Sequence, residues 1–365
     1  MKSRMRGLLA VVAALAMALA LAGCVPTSNG ASTVTVTDGY NRSVDVPENV
    51  ESVATVGSGA RFVVYAGAQD KLVAVTEKET ESSPARPYTV VYQDLFSKLP
   101  STSNGNHLME TNVNVEELIE AKPDVIISSR SAEECDDLQE KTGIPVVGVC
   151  YQDQLFTDNV YSSIQAVGAA CGTADHADEV VSKMKQWQAD LVDRVSKVDE
   201  KNRPSVYVGA VNYKGAKGFT GTYAHYVPLE ILGADNVADE TGQAGSVDVE
   251  LEQVGKWDPD YMFLNMGNAD LLKQEYAKNK KFFDSLTAFK EGNLYSQPSY
   301  NFNGTNIEMG ICDTYFIGMT IYPEQFADID AAQKYDEIFS AMLGKEYYGT
   351  MKEAGMDFKK VSLAG

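Results

Sequence analysis

The sequence is poor in the residues that most enzymes and bare-metal receptors depend on. It holds three histidines and two tryptophans in 365 residues, and its five cysteines never fall in a CxxC pair. A receptor for bare zinc is usually built on several histidines and a carboxylate, so a naked ion is the weaker expectation for a ligand. No GxSxG elbow, HExxH helix or GxxxxGK[ST] loop occurs. Their absence removes the sequence signatures of three large enzyme classes, and catalysis is not expected. Positive charge is scarce too: 31 Lys and Arg stand against 51 Asp and Glu, a net −20. A chain this acidic is a poor partner for nucleic acid or an anionic membrane surface. Nor does any apolar run reach the roughly 20 residues of a membrane-spanning helix.

The longest apolar run lies at the start. Lys2, Arg4 and Arg6 precede an uncharged stretch, 8–22, rich in Ala, Leu, Val and Met. That length suits the core of a signal peptide. Residues 21–24 read "LAGC", which resembles the bacterial lipobox. In proteins with that motif the cysteine is acylated and the preceding segment removed, which here makes Cys24 the lipid-bearing residue. Diacylglycerol with a further acyl chain buries enough CH₂ groups to hold a domain at a membrane. The expectation is an extracytoplasmic protein, lipid-anchored to the cell membrane, with signal peptide 1–23 and a lipidated linker 24–32. Without Lys2, Arg4 and Arg6 the net charge goes from −20 to −23. Cys135, Cys150, Cys171 and Cys312 then remain. Four cysteines allow three full pairings, and buried free thiols are the alternative.

About 340 residues remain, more than one compact core usually holds, so two domains are expected. With 44% apolar residues the chain is globular. "VTVTDGYNRSVDVP" (34–47) predicts two short strands around Asp38-Gly39. Apolar strands at 52–56, 72–75, 124–128 and 145–149 then alternate with helices at 60–68, 113–121 and 132–142. The rhythm breaks at 159–198, where no strand occurs. A helical piece stops at Gly172, and Ala177, Val180, Val181, Met184, Trp187, Leu191, Val195 and Val198 then recur at three- and four-residue spacing. That second helix, of roughly 22 residues, is about 33 Å long. Alternation resumes with strands at 205–210, 261–265 and 293–297, and helices at 226–232, 249–254, 307–321 and 331–343. The fold class is α/β: two Rossmann-like lobes with mainly parallel sheets, bridged by one long α-helix. The lobes are expected at 33–158 and 199–348, with a helical connection at 159–198 and a peripheral tail at 349–365.

Two stretches go beyond generic α/β. "NVNVEELIEAKPDVIISS" (112–129) runs from a helix through Pro-Asp into a buried strand, and "DVELEQVGKWDPDYMFLN" (248–265) repeats the plan. Proline ends the helix and presets an extended exit. This paired pattern resembles the substrate-binding lipoproteins of ABC importers for iron chelates, haem and cobalamin, whose lobes are joined by one long helix. The 34–47 hairpin, "FTGTYAHYVPLEILGADNVAD" (219–239) and "GTNIEMGICDTYFIGMTIYPEQFADID" (304–330) are similar to further parts of that family. The resemblance implies a ligand held between the lobes and delivery to a membrane permease with its ATPase. It implies a monomer with no intrinsic cofactor, carrying an iron- or cobalt-containing chelate. A small oxyanion remains the alternative ligand.

In such lobes ligands bind beyond the carboxyl ends of the strands. That rule selects Ser58, Arg61, Arg130 and Tyr151 in the first lobe. In the second it selects Tyr213, Lys217, Tyr223, His225, Asn265, Tyr300, Asn301 and Asn303. Aromatic walls with a few hydrogen bonders and cations suit a large chelate. Tyr151, Tyr223 and His225 are candidate ligands for a haem iron, with no basis for choosing among them. In the family resembled, one glutamate from each lobe meets arginines of the transporter. By local motif these are Glu116 and Glu230, with Glu117 and Glu120 close to the first.

Overall fold

The computed structural model describes residues 32–105, 108, 112–152, 154–212 and 215–363. The signal segment, Cys24 and the linker up to 31 lie outside the described residues, as do His107 and Tyr213. Among the described residues no helix is long and apolar enough to cross a membrane.

The first lobe opens with a hairpin, β1 (Thr33–Thr37) and β2 (Ser43–Pro47). Its parallel sheet contains β3 (Val53–Val56), β4 (Leu72–Ala74), β5 (Val125–Ser128) and β6 (Val146–Gly148), in the order β4-β3-β5-β6. The second lobe contains β7 (Ser205–Gly209), β8 (Gly221–Ala224), β9 (Asp235–Asn236), β10 (Gly245–Asp248), β11 (Tyr261–Leu264), β12 (Leu294–Ser296) and β13 (Lys359–Lys360). Its main sheet runs β9-β7-β11-β12-β13, parallel except for β13. β8 and β10 pair separately and antiparallel. Both main sheets therefore follow the same second-first-third-fourth order. Every residue of β3 and β5 is buried, as strands covered on both faces require.

The principal helices are α1 (Gly59–Tyr65), α2 (Val115–Ala121), α3 (Ala132–Thr142), α4 (Asp158–Cys171), α5 (Ala174–Val195), α6 (Val227–Leu232), α7 (Leu251–Trp257), α8 (Ile307–Ile321), α9 (Ala331–Leu343) and α10 (Tyr348–Glu353). The interlobe helix is α5. It buries Ala177, Val180, Val181, Met184, Trp187 and Leu191 of the predicted stripe, while Val195 is only partly buried and Val198 lies past the helix end. α4 lies against it so closely that a Cβ at Gly168 would come within 2.4 Å of the Ala177 Cβ. The main apolar cluster is continuous from Val53 and Phe62, through Met184 and Leu191, to Phe263 and Ile311. The lobes thus share one core as well as a helix.

The repeated Pro-Asp motif has a physical reason in both lobes. α2 ends at Lys122 and α7 at Asp258, each with a left-handed backbone (φ 48° and 41°) ahead of a proline. The aspartate that follows fastens the start of the neighbouring strand. Asp124 Oδ2 accepts from the Ser52 amide and hydroxyl, both at 2.9 Å. Asp260 Oδ2 accepts from the Ser205 amide at 2.9 Å and its hydroxyl at 2.8 Å. Burial works to raise the Asp124 carboxyl, but the Glu51 amide, at 2.9 Å, and the Ser52 hydroxyl and amide hold it below its ordinary range.

Three features depart from the sequence expectation. Between β4 and α2 lie short helices at Glu77–Thr80, Pro87–Val91 and Gln93–Phe96. Helices of four or five residues have too few turns to show a period. The tail is not peripheral: Met351 and Phe358 are buried, and β13 extends the second sheet. The second lobe holds three strands that the apolar pattern does not mark, β8, β9 and β10. Of the two readings for Cys135, Cys150, Cys171 and Cys312, free thiols hold.

Candidate functional site

The order of each sheet reverses between its first and third strands, which places a crevice beyond their carboxyl ends. In the first lobe those ends carry Ser58 and Ser129. The Ser58 amide donates to Ser129 Oγ at 2.8 Å, and the two hydroxyls lie 3.1 Å apart. In the second lobe the same position is made of amides. Asn268 Nδ2 donates to Asn212 Oδ1 at 2.6 Å and to the Ala210 carbonyl at 3.2 Å. Asn265 caps the adjoining turn, accepting from the Gly267 amide at 3.1 Å.

The structure brings Ser58, Arg61, Tyr151 and Asn303 together, all around Arg61. Its guanidinium is wholly buried. Nη1 donates to the Tyr151 hydroxyl at 3.0 Å, and Nη2 to the Asn303 carbonyl at 3.1 Å. Tyr151 also pairs with the Ser58 hydroxyl. The Tyr88 and Tyr151 rings lie 4.9 and 5.5 Å from the guanidinium carbon. Burial alone would lower the Arg61 pKa, but Tyr151, Tyr88, Tyr65 and Glu308 together raise it above its ordinary value. Two acids flank this cation. Burial pushes Glu79 up to about 7 and raises Glu308, with Arg61 opposing both shifts.

Tyr223, Tyr300, Asn265 and Asn301 come together with Tyr226 and Phe263 around a small tyrosine-lined pocket. Its cavity volume of about 20 Å³ is room for about one water. Below it Gln297 Nε2 donates to Asp313 Oδ2 at 3.0 Å and to the Tyr226 hydroxyl. Burial raises the Asp313 carboxyl well above its usual range. Beside this pocket opens a larger recess of about 320 Å³. Asn212, Asn265, Asn268, Gln297 and Phe302 line it from the second lobe, with Ala85 from the first and Met356 from the tail.

Other predicted residues stand apart from this recess. Arg130 turns back on α3: its Nε donates to Glu134 Oε1 at 3.0 Å, and Glu134 closes a capping box on Ser131. Lys217 Nζ pairs with Asp248 Oδ2 at 2.6 Å. His225 is half exposed with φ 55°, and its Nδ1 lies 3.1 Å from Glu230 Oε1. Glu116 is exposed in the first turn of α2. Glu230 is about half exposed in the first turn of α6. Cys24 and Tyr213 lie outside the described residues. Among the described residues no three His, Cys, Asp or Glu side chains stand close enough to share an ion.

Sequence reasoning missed Asn268, Gln297, Asn306 and Glu308. Gln297 follows β12 directly, so the strand-end rule reaches it once the strand is known to stop at Ser296. Glu308 lies inside a helix of mean apolar character, where nothing local marks a buried acid.

Two α/β lobes of matching strand order, one long helix and a recess beyond the strand ends form a recognisable plan. Residues 47–300 match the family described as periplasmic binding protein. The chain belongs to that family. This periplasmic binding protein is also 25% identical over 305 residues to an uncharacterized ABC transporter substrate-binding lipoprotein of Bacillus subtilis. The alignment covers 81% of this chain and 87% of that one. A periplasmic solute binding protein from Veillonella parvula shares the fold with TM-score 0.71 and 20% identity, over 88% of this chain and 96% of its own. The molybdate periplasmic binding protein MolA of Haemophilus influenzae gives TM-score 0.63 and 19% identity, over 86% and 99%. The chain is an ABC transporter substrate-binding protein that works outside the cytoplasm.

Proposed function

We propose that this periplasmic binding protein captures a metal chelate between its lobes and delivers it to an ABC importer permease with its ATPase. The ligand is a ferric siderophore, haem or a corrinoid. The observation that carries this reading is the recess of about 320 Å³ lined by Asn212, Asn265, Asn268, Gln297 and Phe302. Neutral amides beside the Phe302 ring and the Met266 and Met356 side chains suit a metal already wrapped by an organic ligand, because they meet an amphipathic surface without competing for the ion. Of the residues predicted for the cleft, Asn265 lines this recess and Tyr223, Tyr300 and Asn301 the tyrosine pocket beside it, and these four are the proposed ligand contacts.

Glu116 and Glu230 are the proposed docking pair for the permease, and lipid on Cys24 the proposed tether. The protein acts as a monomer. A small oxyanion is the second reading, since the similarly folded Haemophilus influenzae protein binds molybdate. Native mass spectrometry and absorbance of protein purified from its own cells test both. A bound haem, corrinoid or ferric chelate is expected. In thermal shift its addition should stabilise by roughly 2.7 kcal/mol at a hundred times Kd. A shift with molybdate and none with any chelate would replace the first reading by the second.

A further inference from the structure

Arg61 sits on α1 of the first lobe, yet most of its hydrogen bonds leave that lobe. Nη1 donates to the Thr305 carbonyl at 2.9 Å. Nη2 donates to the Asn303 carbonyl at 3.1 Å and to Asn306 Oδ1 at 3.0 Å. With Tyr151, these partners use all four Nη hydrogens. Asn306 in turn binds its own loop, donating to the carbonyls of Tyr300 at 2.8 Å and Phe302 at 3.2 Å. Tyr65 lies one turn further along α1, on the same face. Its hydroxyl donates to the Glu308 carboxylate and accepts from the Ile307 amide at 3.3 Å. The approach is close enough to require a glycine. Gly304 has φ +86°, and a Cβ there would stand 2.4 Å from the Tyr151 hydroxyl and 3.0 Å from Arg61 Nη1. The loop so held, 298–306, supplies Tyr300 and Asn301 to the tyrosine pocket and Phe302 to the recess.

We propose that Arg61 is a positioning residue: from the first lobe it sets the conformation of the second lobe's ligand-facing loop, and it is not the counter-ion of an anionic ligand. The inference rests on the reading that ligand occupies the recess. A fully buried cation is stable only when its charge and hydrogens are satisfied. Here two carbonyls, an amide oxygen and the Tyr151 hydroxyl take the four Nη hydrogens, and two tyrosine faces and the nearby acids offset the charge; of the guanidinium nitrogens only Nε is left without a partner. Wide opening of the cleft would have to break this joint, so the joint also ties cleft shape to contact between the lobes.

Hydrogen exchange on the ligand-free, full-length protein tests the proposal without knowing the ligand. In Arg61→Met, peptides spanning 298–308 should exchange about tenfold faster, while peptides of β3 and β5 keep their protection. Arg61→Lys should fall between, since an ammonium cannot span the same partners. Asn306→Ala should loosen the same peptides less than Arg61→Met does, because Arg61 also holds the carbonyls of Asn303 and Thr305. If Arg61→Met fails to fold, Asn306→Ala carries the test with Arg61 intact. Wild-type protection of 298–308 in these variants would overturn the proposal. Binding of neutral ferrichrome and of molybdate gives a second readout. Positioning predicts the same fold-loss in Arg61→Lys for whichever probe binds, and a loss confined to molybdate would make Arg61 a ligand contact instead. If wild-type protein binds neither chelates nor molybdate, the reading of the recess fails, while the exchange result still decides the role of Arg61.

Discussion

Glu79 shows how burial alone gives a side chain a pH response. It receives hydrogen bonds from the Tyr88 hydroxyl at 3.1 Å and Thr55 at 3.3 Å, yet burial still pushes it from 4.5 to about 7. Its folded pKa is raised, so the native state binds more protons than the unfolded chain between those values. Stability contributed by this group is therefore present below about 4.5 and lost as pH rises to about 7. Glu308 and Asp313 act with the same sign. Glu79→Gln removes the charge; its Oε1 can still accept from one hydroxyl, while its Nε2 must donate to the other. Urea unfolding at pH 5 and pH 8 should find the variant's stability flatter with pH, and higher than wild type at pH 8 by up to roughly 3 kcal/mol. An unchanged pH dependence would mean that Glu79 keeps an ordinary pKa.

The joint between α4 and α5 is where an element's position hangs on one atom. α4 ends at Gly172 (φ 71°), the chain turns, and α5 packs back over Gly168. Gly168→Ala must push the helices apart, because backbone and the Ala177 Cβ leave no room. Overpacking of this kind should destabilise by roughly 1–3 kcal/mol in chemical denaturation. Gly143 ends α3 with φ 69° and open space around it, so Gly143→Ala isolates the cost of the backbone alone. Equal losses from both substitutions would show that helix contact at Gly168 is looser than the structure gives. The helix starts also explain small differences from the sequence pattern. Apolar spacing begins at Val113, but Asn114 accepts from the Glu117 amide at 3.3 Å and moves the first turn to Val115.

At the scale of the whole molecule, α5, the shared apolar cluster, the Arg61 joint and hydrogen bonds such as those from Tyr92 to the Leu343 carbonyl and from Tyr347 to the Pro84 carbonyl limit motion between the lobes. Small-angle scattering with and without ligand should differ only slightly. A closure of many degrees would contradict that coupling. Glu116 and Glu230 project from helices of different lobes, and widely spaced charges set orientation and encounter rate more than affinity. The Glu116→Arg, Glu230→Arg double variant should abolish uptake while ligand binding in solution stays intact. Normal uptake would move docking elsewhere on the surface. Cys24→Ser should release the protein into the medium with unchanged Kd, and a large loss of affinity would give the tether a role in binding.

The sequence by itself determined the α/β class, the four strands of the first sheet and β7, β11 and β12 of the second, the 22-residue interlobe helix and the two Pro-Asp units. These depend on local quantities: period, breakers and the exit set by proline. It also offered candidate loops for the crevice, because parallel strands place their carboxyl ends on one side. Only the tertiary structure decided what the chosen residues do there. Arg61 and Arg130 look alike in sequence, each a cation just past a strand. Arg61 is drawn across the lobes to carbonyls at 303 and 305, more than 240 residues away in sequence. Arg130 is retained by Glu134, one turn along its own helix. The buried acids Glu79, Glu308 and Asp313 were equally hidden, since desolvation is a property of what packs around a group and not of its neighbours in the chain.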